Sequence, residues 1–478
     1  MNLLADYCQQ CLIAPDQTAF VEARRSLSYQ QFRLAFQPLA HFLQKQACSG
    51  QRIVVAIDRG IDAAVAIYGI LAAGACYLPL DIKNPASRLN YIINDGLPRF
   101  IVGLGSCPAW LDAREKWLDL HALPDNPDAQ LEPLANDPEA LAAILYTSGS
   151  TGSPKGVALS HRAMLNFARW AGRTVELEAQ ERVASLAPFH FDLSVFDLFS
   201  TLAFGACVYF MPSRLTLTPV KLTAWLSELS ITCWYTVPSL LSFIALKGAL
   251  PATPLSSLKN LLFAGEVFPA AHLISLAKQL PAVNLINLYG PTETNVCCYW
   301  PVDRSRLRED QAIPIGLPAC DSKLAIDEDT GELSVLSENN FSGYWQNGRL
   351  DSSALQQGWY KTGDKVSRNA LGEYCYHGRL DRMLKCSGHR VEPAEIENAI
   401  RQLEPVENCA VLGILDPTSG QRPAAAVVLK SGCALADILN PLKESLPAYM
   451  FPARFIVVND LPLLSNGKID YQALLAKF

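Results

Sequence analysis

Between positions 144 and 157 the chain reads ILYTSGSTGSPKGV, and nowhere else are small, hydroxylated and cationic residues so concentrated. Residues 144–146 are apolar and predict a short buried strand. The hydroxyls and unhindered amides of Thr147, Ser148, Gly149, Ser150, Thr151 and Gly152 then form a run able to wrap an anion, and Lys155 adds a full positive charge. The combination suits phosphate. A flexible Gly/Ser linker shares the composition, but it would not follow an apolar strand or close on Pro-Lys-Gly-Val. A Walker loop is excluded, because its lysine precedes Ser or Thr and Lys155 precedes Gly156.

Four other stretches hold charged groups where chemistry could use them. Glu293 lies in NLYGPTET (287–294); a buried loop could show Tyr-Gly-Pro, but a carboxylate two residues later is harder to explain as packing. Asp364 closes YKTGD (360–364), which alone would pass for a common turn, and Lys468 follows the turn-like Ser-Asn-Gly of LPLLSNGKID (461–470). Asp192 interrupts the apolar run FHFDLSVF (189–196). It could cap a helix; otherwise, since a buried carboxylate without a partner is costly, it implies a cationic group on a ligand.

The elements that must position these residues read as α/β over most of the chain. Ser28 and Gln31 form a capping box for a helix carrying Phe32, Phe36, Leu39 and Leu43 on its apolar face. Pro38 should kink or break that helix. Residues 53–57, the Ala-rich stretch after Gly60 and residues 76–80 follow one another as strand, helix and strand, the rhythm of a parallel sheet. Residues 123–138, rich in Pro, Asp and Asn, predict an exposed connection into the phosphate loop. Beyond it, 161–170 predicts a helix and 183–186, 231–237 and 260–263 predict strands. From about Pro301 the texture changes to short strands between turns (312–317, 322–326, 332–336, 373–376), which fits a small β-rich subdomain. A compact final segment holds a helix at 394–403 and a strand at 410–415, and we place a domain boundary at Asp381, dividing 1–380 from 381–478.

Composition narrows the function classes. At 478 residues the chain can bury a large core and is long enough for more than one domain; half its residues are hydrophobic, as in a globular protein. A net charge of -6 argues against a nucleic-acid binder. The 14 cysteines are irregularly spaced and Cys8-x-x-Cys11 has no second pair for zinc, so they read as reduced thiols of a cytoplasmic protein. No basic region precedes an apolar run at the N-terminus, so no secretory signal is evident. The uncharged stretches 63–80 and 229–246 just reach membrane-span length. Gly69, Gly74, Pro79 and Pro238 divide them, and each reads better as a buried helix and strand joined end to end.

Taken together and in order, these motifs resemble the adenylate-forming superfamily of acyl-CoA synthetases, luciferases and amino-acid adenylation domains, over nearly the whole chain. The resemblance implies a large N-terminal domain of α/β subdomains with a small β-barrel-like subdomain, followed by a mobile α+β C-terminal domain. It also implies ATP and Mg2+ as partners of the site. Tyr289 would stack on adenine, Thr292 contact phosphate and Glu293 hold Mg2+, which binds nucleotide through one or two carboxylates plus phosphate oxygens. Asp364 would accept hydrogen bonds from the ribose hydroxyls, assisted by Arg379; Gly265, Glu266, Asn287 and Gly290 complete the nucleotide contacts. Lys468 would stand between a substrate carboxylate and the α-phosphate, cancelling repulsion and stabilising transition-state charge, with Lys155 as a second catalytic cation. The family runs two half-reactions at one site by rotating its C-terminal domain. Asp381 matches the hinge, residues 385–388 the second face, and His190 the position that gates a pantetheine thiol. Ser342 stands where the family usually has arginine, and VEPAE (391–395) departs from the usual ending; both are expected to lie outside the reacting centre.

In amino-acid adenylation domains the position of Asp192 pairs with the substrate ammonium. Aligned by motif, the side-chain pocket would be lined by Leu193, Phe196, Tyr235, Leu262, Ala264, Leu288, Val296 and Cys297, a compact apolar slot resembling that of freestanding prolyl adenylating enzymes. The implied activity is formation of prolyl-AMP and transfer to the phosphopantetheine of a separate carrier protein, by a monomer or weak dimer that engages neither nucleic acid nor membrane. Chemistry alone does not separate proline from valine, since a methylene is worth only about 1–3 kcal/mol in an apolar pocket. A D-alanyl-carrier or acyl-CoA ligase is the alternative within ligases. Outside them stands a nucleotide-binding regulator without turnover, against which the joint presence of Lys468, Glu293 and Asp364 argues.

Overall fold

The computed structural model describes residues 3–124, 137–149, 152–248, 250–416, 420–464 and 468–478. Most of the connection at 123–138, and Ser150 and Thr151 of the phosphate loop, lie outside the described residues. Two large sheets form the bulk of the molecule. In the first, of eight strands, Cys76–Pro79 and Phe100–Gly103 run parallel to Arg52–Val55 on either side, and the buried helix Ile61–Ala72 makes the crossover. The apolar stretch 63–80 is therefore a helix followed by a strand, as its glycines indicated. Likewise Cys233–Thr236 and Pro238–Lys247 divide the stretch 229–246 at Pro238. Among the described residues, no helix is long and apolar enough to cross a membrane.

The helix Tyr29–Lys45 starts at Ser28 with both bonds of the capping box present. It continues through Pro38 without the expected break. The carbonyl that Pro38 cannot serve belongs to Leu34, which is about half exposed, so water can satisfy it.

The second sheet has a parallel centre, Cys207–Phe210, Arg182–Ser185, Cys233–Thr236, Asn260–Phe263 and Asn284–Tyr289 in spatial order. Cys298–Pro301 and Pro314–Pro318 then add on antiparallel, followed by Tyr374–Arg379, Trp359–Arg368, Glu332–Leu336 and Lys323–Ile326. The β-rich segment expected after Pro301 is thus hydrogen-bonded to the parallel sheet, covering what would otherwise be an open edge.

From Leu384 onward a third sheet of five strands carries its own apolar clusters on both faces. Because successive strand residues alternate sides, Cys409 and Val411 pack with Ile396 and Ile400 of the helix Pro393–Arg401, whereas Ala410 and Leu412 pack with Leu461 and Leu474. The chain around Lys468 and the helix Pro393–Arg401 therefore cover opposite faces of one sheet. The edge hairpin, Leu384–Cys386 paired with His389–Val391, lies beside them.

Candidate active site

Two antiparallel strands flank the phosphate loop. Leu141–Thr147 pairs with Lys155–Ser160, setting Thr147 opposite Lys155 and Tyr146 opposite Gly156. Thr147 and Ser148 line a cavity of about 110 Å³. The Thr147 hydroxyl is buried without a hydrogen-bond partner, and Ser148 Oγ donates to the Arg390 carbonyl at 2.7 Å. Gly149 and Gly152 do not reach the cavity. Gly152 has a φ of 85°, and a Cβ there would lie 1.8 Å from Asn398 Nδ2, so this glycine admits the helix Pro393–Arg401 against the loop.

The cavity lies beyond the carboxyl ends of the parallel strands, where open α/β sheets bind ligands. One end is walled by Asp192, Leu193, Tyr235, Ala264 and Val296. Ala264 follows the strand Asn260–Phe263, and Gly290 follows Asn284–Tyr289. Leu262 and Leu288 lie within those strands and do not reach the cavity, nor do Phe196 and Cys297; all four are fully buried. Leu262 is paired with Tyr235 in register and the Phe196 ring meets Tyr235 edge-on at 5.7 Å, so they support the wall from behind rather than form it. Asp192 is the only carboxylate among these wall residues. Burial pushes its carboxyl up to about 6, opposed by the Thr292 hydroxyl and reinforced by the charge of Glu293.

The other end is dense with paired charges. Asp364 faces Arg379 in strand register, accepts from Arg379 Nη1 at 2.8 Å, and accepts also from the Tyr289 hydroxyl. Arg379 reaches Asp381 as well, with Nε 2.8 Å from Oδ1. Asn287, Tyr289 and Glu266 face a smaller adjoining cleft, which shares Gly265 and Gly290 with the cavity. Asn287 Nδ2 donates to the Pro314 carbonyl at 2.8 Å, and Lys385 Nζ lies 5.6 Å from the centre of the Tyr289 ring.

Glu293 is fully buried and lies behind the lining. Its Oε1 accepts from Arg390 Nη1 at 2.9 Å and from the Tyr344 hydroxyl at 2.7 Å, with Lys155 Nζ at 3.7 Å. Burial alone would raise this carboxyl; the charges of Arg390 and Lys155 outweigh it and hold it at about 2. Lys155, over the Tyr344 ring at 3.8 Å, is lowered by burial to about 8. The second oxygen, Glu293 Oε2, is buried with no hydrogen-bond partner. An orphaned carboxylate oxygen beside a phosphate loop fits a magnesium ion or one of its waters. Among the described residues no cluster of three or more acidic, His or Cys side chains could hold a metal by itself, so phosphate oxygens would complete the coordination.

The two departures from family pattern abut this centre, contrary to expectation. Phe341 N donates to the Glu293 carbonyl at 2.8 Å and Tyr344 to its side chain, while Glu395 forms a buried ion pair with Arg88, which lines the cavity. Chain distance concealed this, because strand Gly343–Gln346 pairs with Lys155–Ser160.

A family model described as AMP-binding enzyme matches residues 9–345, and one described as AMP-binding enzyme C-terminal domain matches residues 395–468. The chain belongs to the AMP-binding enzyme family. It is 35% identical over 484 residues to an L-proline--[L-prolyl-carrier protein] ligase of Pseudomonas fluorescens, covering 96% of each chain. A protein of the same description from Streptomyces coelicolor is 36% identical, over 94% of this chain and 91% of that one. A D-alanine--D-alanyl carrier protein ligase of Bacillus cytotoxicus is 28% identical over 100% and 99%. The fold matches amide bond synthetase McbA from Marinactinospora thermotolerans with a TM-score of 0.88 at 22% identity, each chain covered in full.

Within this AMP-binding enzyme the sequence-predicted residues divide into two groups. Thr147, Ser148, His190, Asp192, Leu193, Tyr235, Ala264, Gly265, Gly290, Thr292, Val296, Asp364 and Arg379 share one cavity. Lys468 does not join them: it is exposed, on the sheet face opposite the docked helix. His190 is held at about 4 by burial, and is therefore neutral near pH 7. Phe191 bridges it to His389, which stacks on Tyr449 at 3.7 Å. Sequence reasoning missed His389, Arg390, Tyr449 and Arg88. His389 and Arg390 directly follow the segment 385–388, already read as a second face, whereas Arg88 and Tyr449 lie far from it in the chain and carried no such signal.

Proposed function

We propose that this protein is an ATP-dependent amino acid:carrier-protein ligase that activates L-proline as prolyl-AMP and passes it to the phosphopantetheine thiol of a separate carrier protein. The observation that carries this reading is Asp192, a carboxylate raised by burial at the end of an otherwise apolar pocket wall. Such a group is stabilised by a substrate ammonium, which the fatty or aryl acids activated by acyl-CoA ligases lack. Near-full-length similarity to two L-proline--[L-prolyl-carrier protein] ligases supports proline over other compact apolar acids. The D-alanine relative keeps a smaller amino acid as the second reading.

In the first half-reaction the proline carboxylate attacks the α-phosphorus of ATP; a C–O–P linkage forms and pyrophosphate leaves. Thr147, Ser148, Thr292 and Lys155 hold phosphate, Asp364 and Arg379 hold ribose and Tyr289 stacks on adenine; Glu293 would hold Mg2+, which would neutralise phosphate charge. Lys468 must be brought in by rotation of residues 381–478 about Asp381 to lie between the two anions. In the second half-reaction the thiol sulfur attacks the carbonyl carbon, AMP leaves, and a thioester remains; His190 gates the thiol's approach. The 14 cysteines, none of them in a disulfide among the described residues, suit a reducing compartment such as the cytoplasm.

Amino-acid-dependent ATP/pyrophosphate exchange across a substrate panel tests the reading. Proline should give the maximum with valine near background; a higher rate with valine or alanine would reassign the substrate.

A further inference from the structure

Val296 is the part of the pocket wall that the sheet does not hold. Tyr235 lies within a strand, and the Ala264 amide donates to the Thr236 carbonyl at 3.2 Å. Val296 instead sits in the loop between the strands Asn284–Tyr289 and Cys298–Pro301. It follows Asn295, whose φ of 53° is left-handed, and a Cβ on Gly290 would lie 1.9 Å from the Asn295 carbonyl oxygen, so the loop closes tightly on itself.

Resting on the reading above, we propose that Asn339 sets amino-acid specificity from outside the pocket, by clamping the Val296 carbonyl and so fixing how far this wall reaches into the cavity. Asn339 is a positioning residue: it is 1% exposed and does not line the cavity. Its Nδ2 donates to the Val296 carbonyl at 3.3 Å, and its Oδ1 accepts from Asn166 Nδ2 at 2.7 Å. A carbonyl can only accept, so the Asn339 amide has one orientation, nitrogen toward Val296 and oxygen toward Asn166. Asn166 stands on the helix His161–Thr174 and anchors the clamp there. The turn carrying Asn339 is itself fixed, with Asn339 N donating to Ser337 Oγ at 3.1 Å and Ser342 N to the Ala158 carbonyl at 2.8 Å.

The same turn backs the loop at a second point, where Phe341 N and the Tyr344 hydroxyl donate to the carbonyl and carboxylate of Glu293. The support is thus divided: Asn339 bears on the amino-acid wall, Tyr344 on the phosphate end. A compact apolar slot discriminates only while its wall stays put, because one methylene is worth only about 10–200-fold and a wall free to withdraw forfeits it.

Amino-acid-dependent ATP/pyrophosphate exchange of the full-length protein tests the clamp in two variants. Asn339→Leu fills similar space without either side-chain hydrogen bond; Asn166→Ala removes the anchor at a half-buried site. The kcat/KM ratio of proline to valine should fall about tenfold in the first and about threefold in the second, with KM for proline raised and KM for ATP within about twofold of the wild type. Tyr344→Phe should split the other way, raising KM for ATP with the proline-to-valine ratio kept. An unchanged ratio in either asparagine variant, or equal rises in KM for proline and for ATP, would overturn the clamp while leaving the proline reading intact. Wild-type exchange that favours valine or alanine would overturn both.

Discussion

Two segments of the C-terminal sheet invite comparison, the hairpin around residues 384–391 and the loop around Lys468. Both carry cations, and both belong to one small domain with its own apolar clusters. The hairpin is built into the cavity through Gly388, His389 and Arg390, whereas Lys468 is exposed across the sheet from the helix that docks. A single rigid domain cannot present both to the same cavity at once, so on the function proposed above the two chemistries would require residues 381–478 to turn.

The sharpest way to break the comparison is Lys468→Ala. Pyrophosphate exchange should fall about 10²–10³-fold, the loss typical of removing one transition-state charge stabiliser, while transfer from preformed prolyl-AMP to the carrier keeps its order of magnitude. Equal loss of both would deny the division of labour. Asp192→Ala serves as the control common to both faces. Removing a charged hydrogen bond costs about 1.5–3 kcal/mol, so KM for the amino acid should rise roughly 10- to 150-fold; an unchanged KM would remove the ammonium pairing.

The reverse case is Gly388→Val. Gly388 has a φ of 82° and a Cβ there would lie 2.8 Å from Val237 Cγ1, so the hairpin could not seat. Transfer should drop about tenfold, the equivalent of roughly 1.4 kcal/mol, with exchange spared. Loss of exchange instead would place the hairpin's role in adenylation. The mildest test is pH. Asp192, raised to about 6, must be ionised to hold an ammonium, so KM for the amino acid should climb as pH falls through 6. Lys155, lowered to about 8, loses its charge above that pH, and KM for ATP should climb there. A flat profile for the amino acid from pH 5 to 7 would contradict the first assignment.

How much of this was readable in the chain depended on whether a residue's neighbours are local. The strand 144–146 stands out as an apolar run, and the box of Ser28 and Gln31 is complete within four residues. The strand Lys155–Ser160 was missed because its opening Lys-Gly reads as loop, although Val157, Ala158 and Leu159 are fully buried. Asp364 and Arg379 were each legible as motif positions, but their pairing arises from antiparallel register across 15 residues. Leu262 and Leu288 were placed in the pocket wall, yet their strands reach the cavity only past their carboxyl ends, at Ala264, Gly265 and Gly290. Arg390 was invisible because nothing in its surroundings names Glu293, 97 positions earlier, as the carboxylate it would meet.

The most direct measurement is a crystal structure with proline, Mg2+ and AMP-CPP bound together. It should show Lys468 Nζ within hydrogen-bond reach, about 3 Å, of both the proline carboxylate and the α-phosphate. Both ligands in the cavity with Lys468 still on the solvent side would contradict its assignment as the catalytic cation.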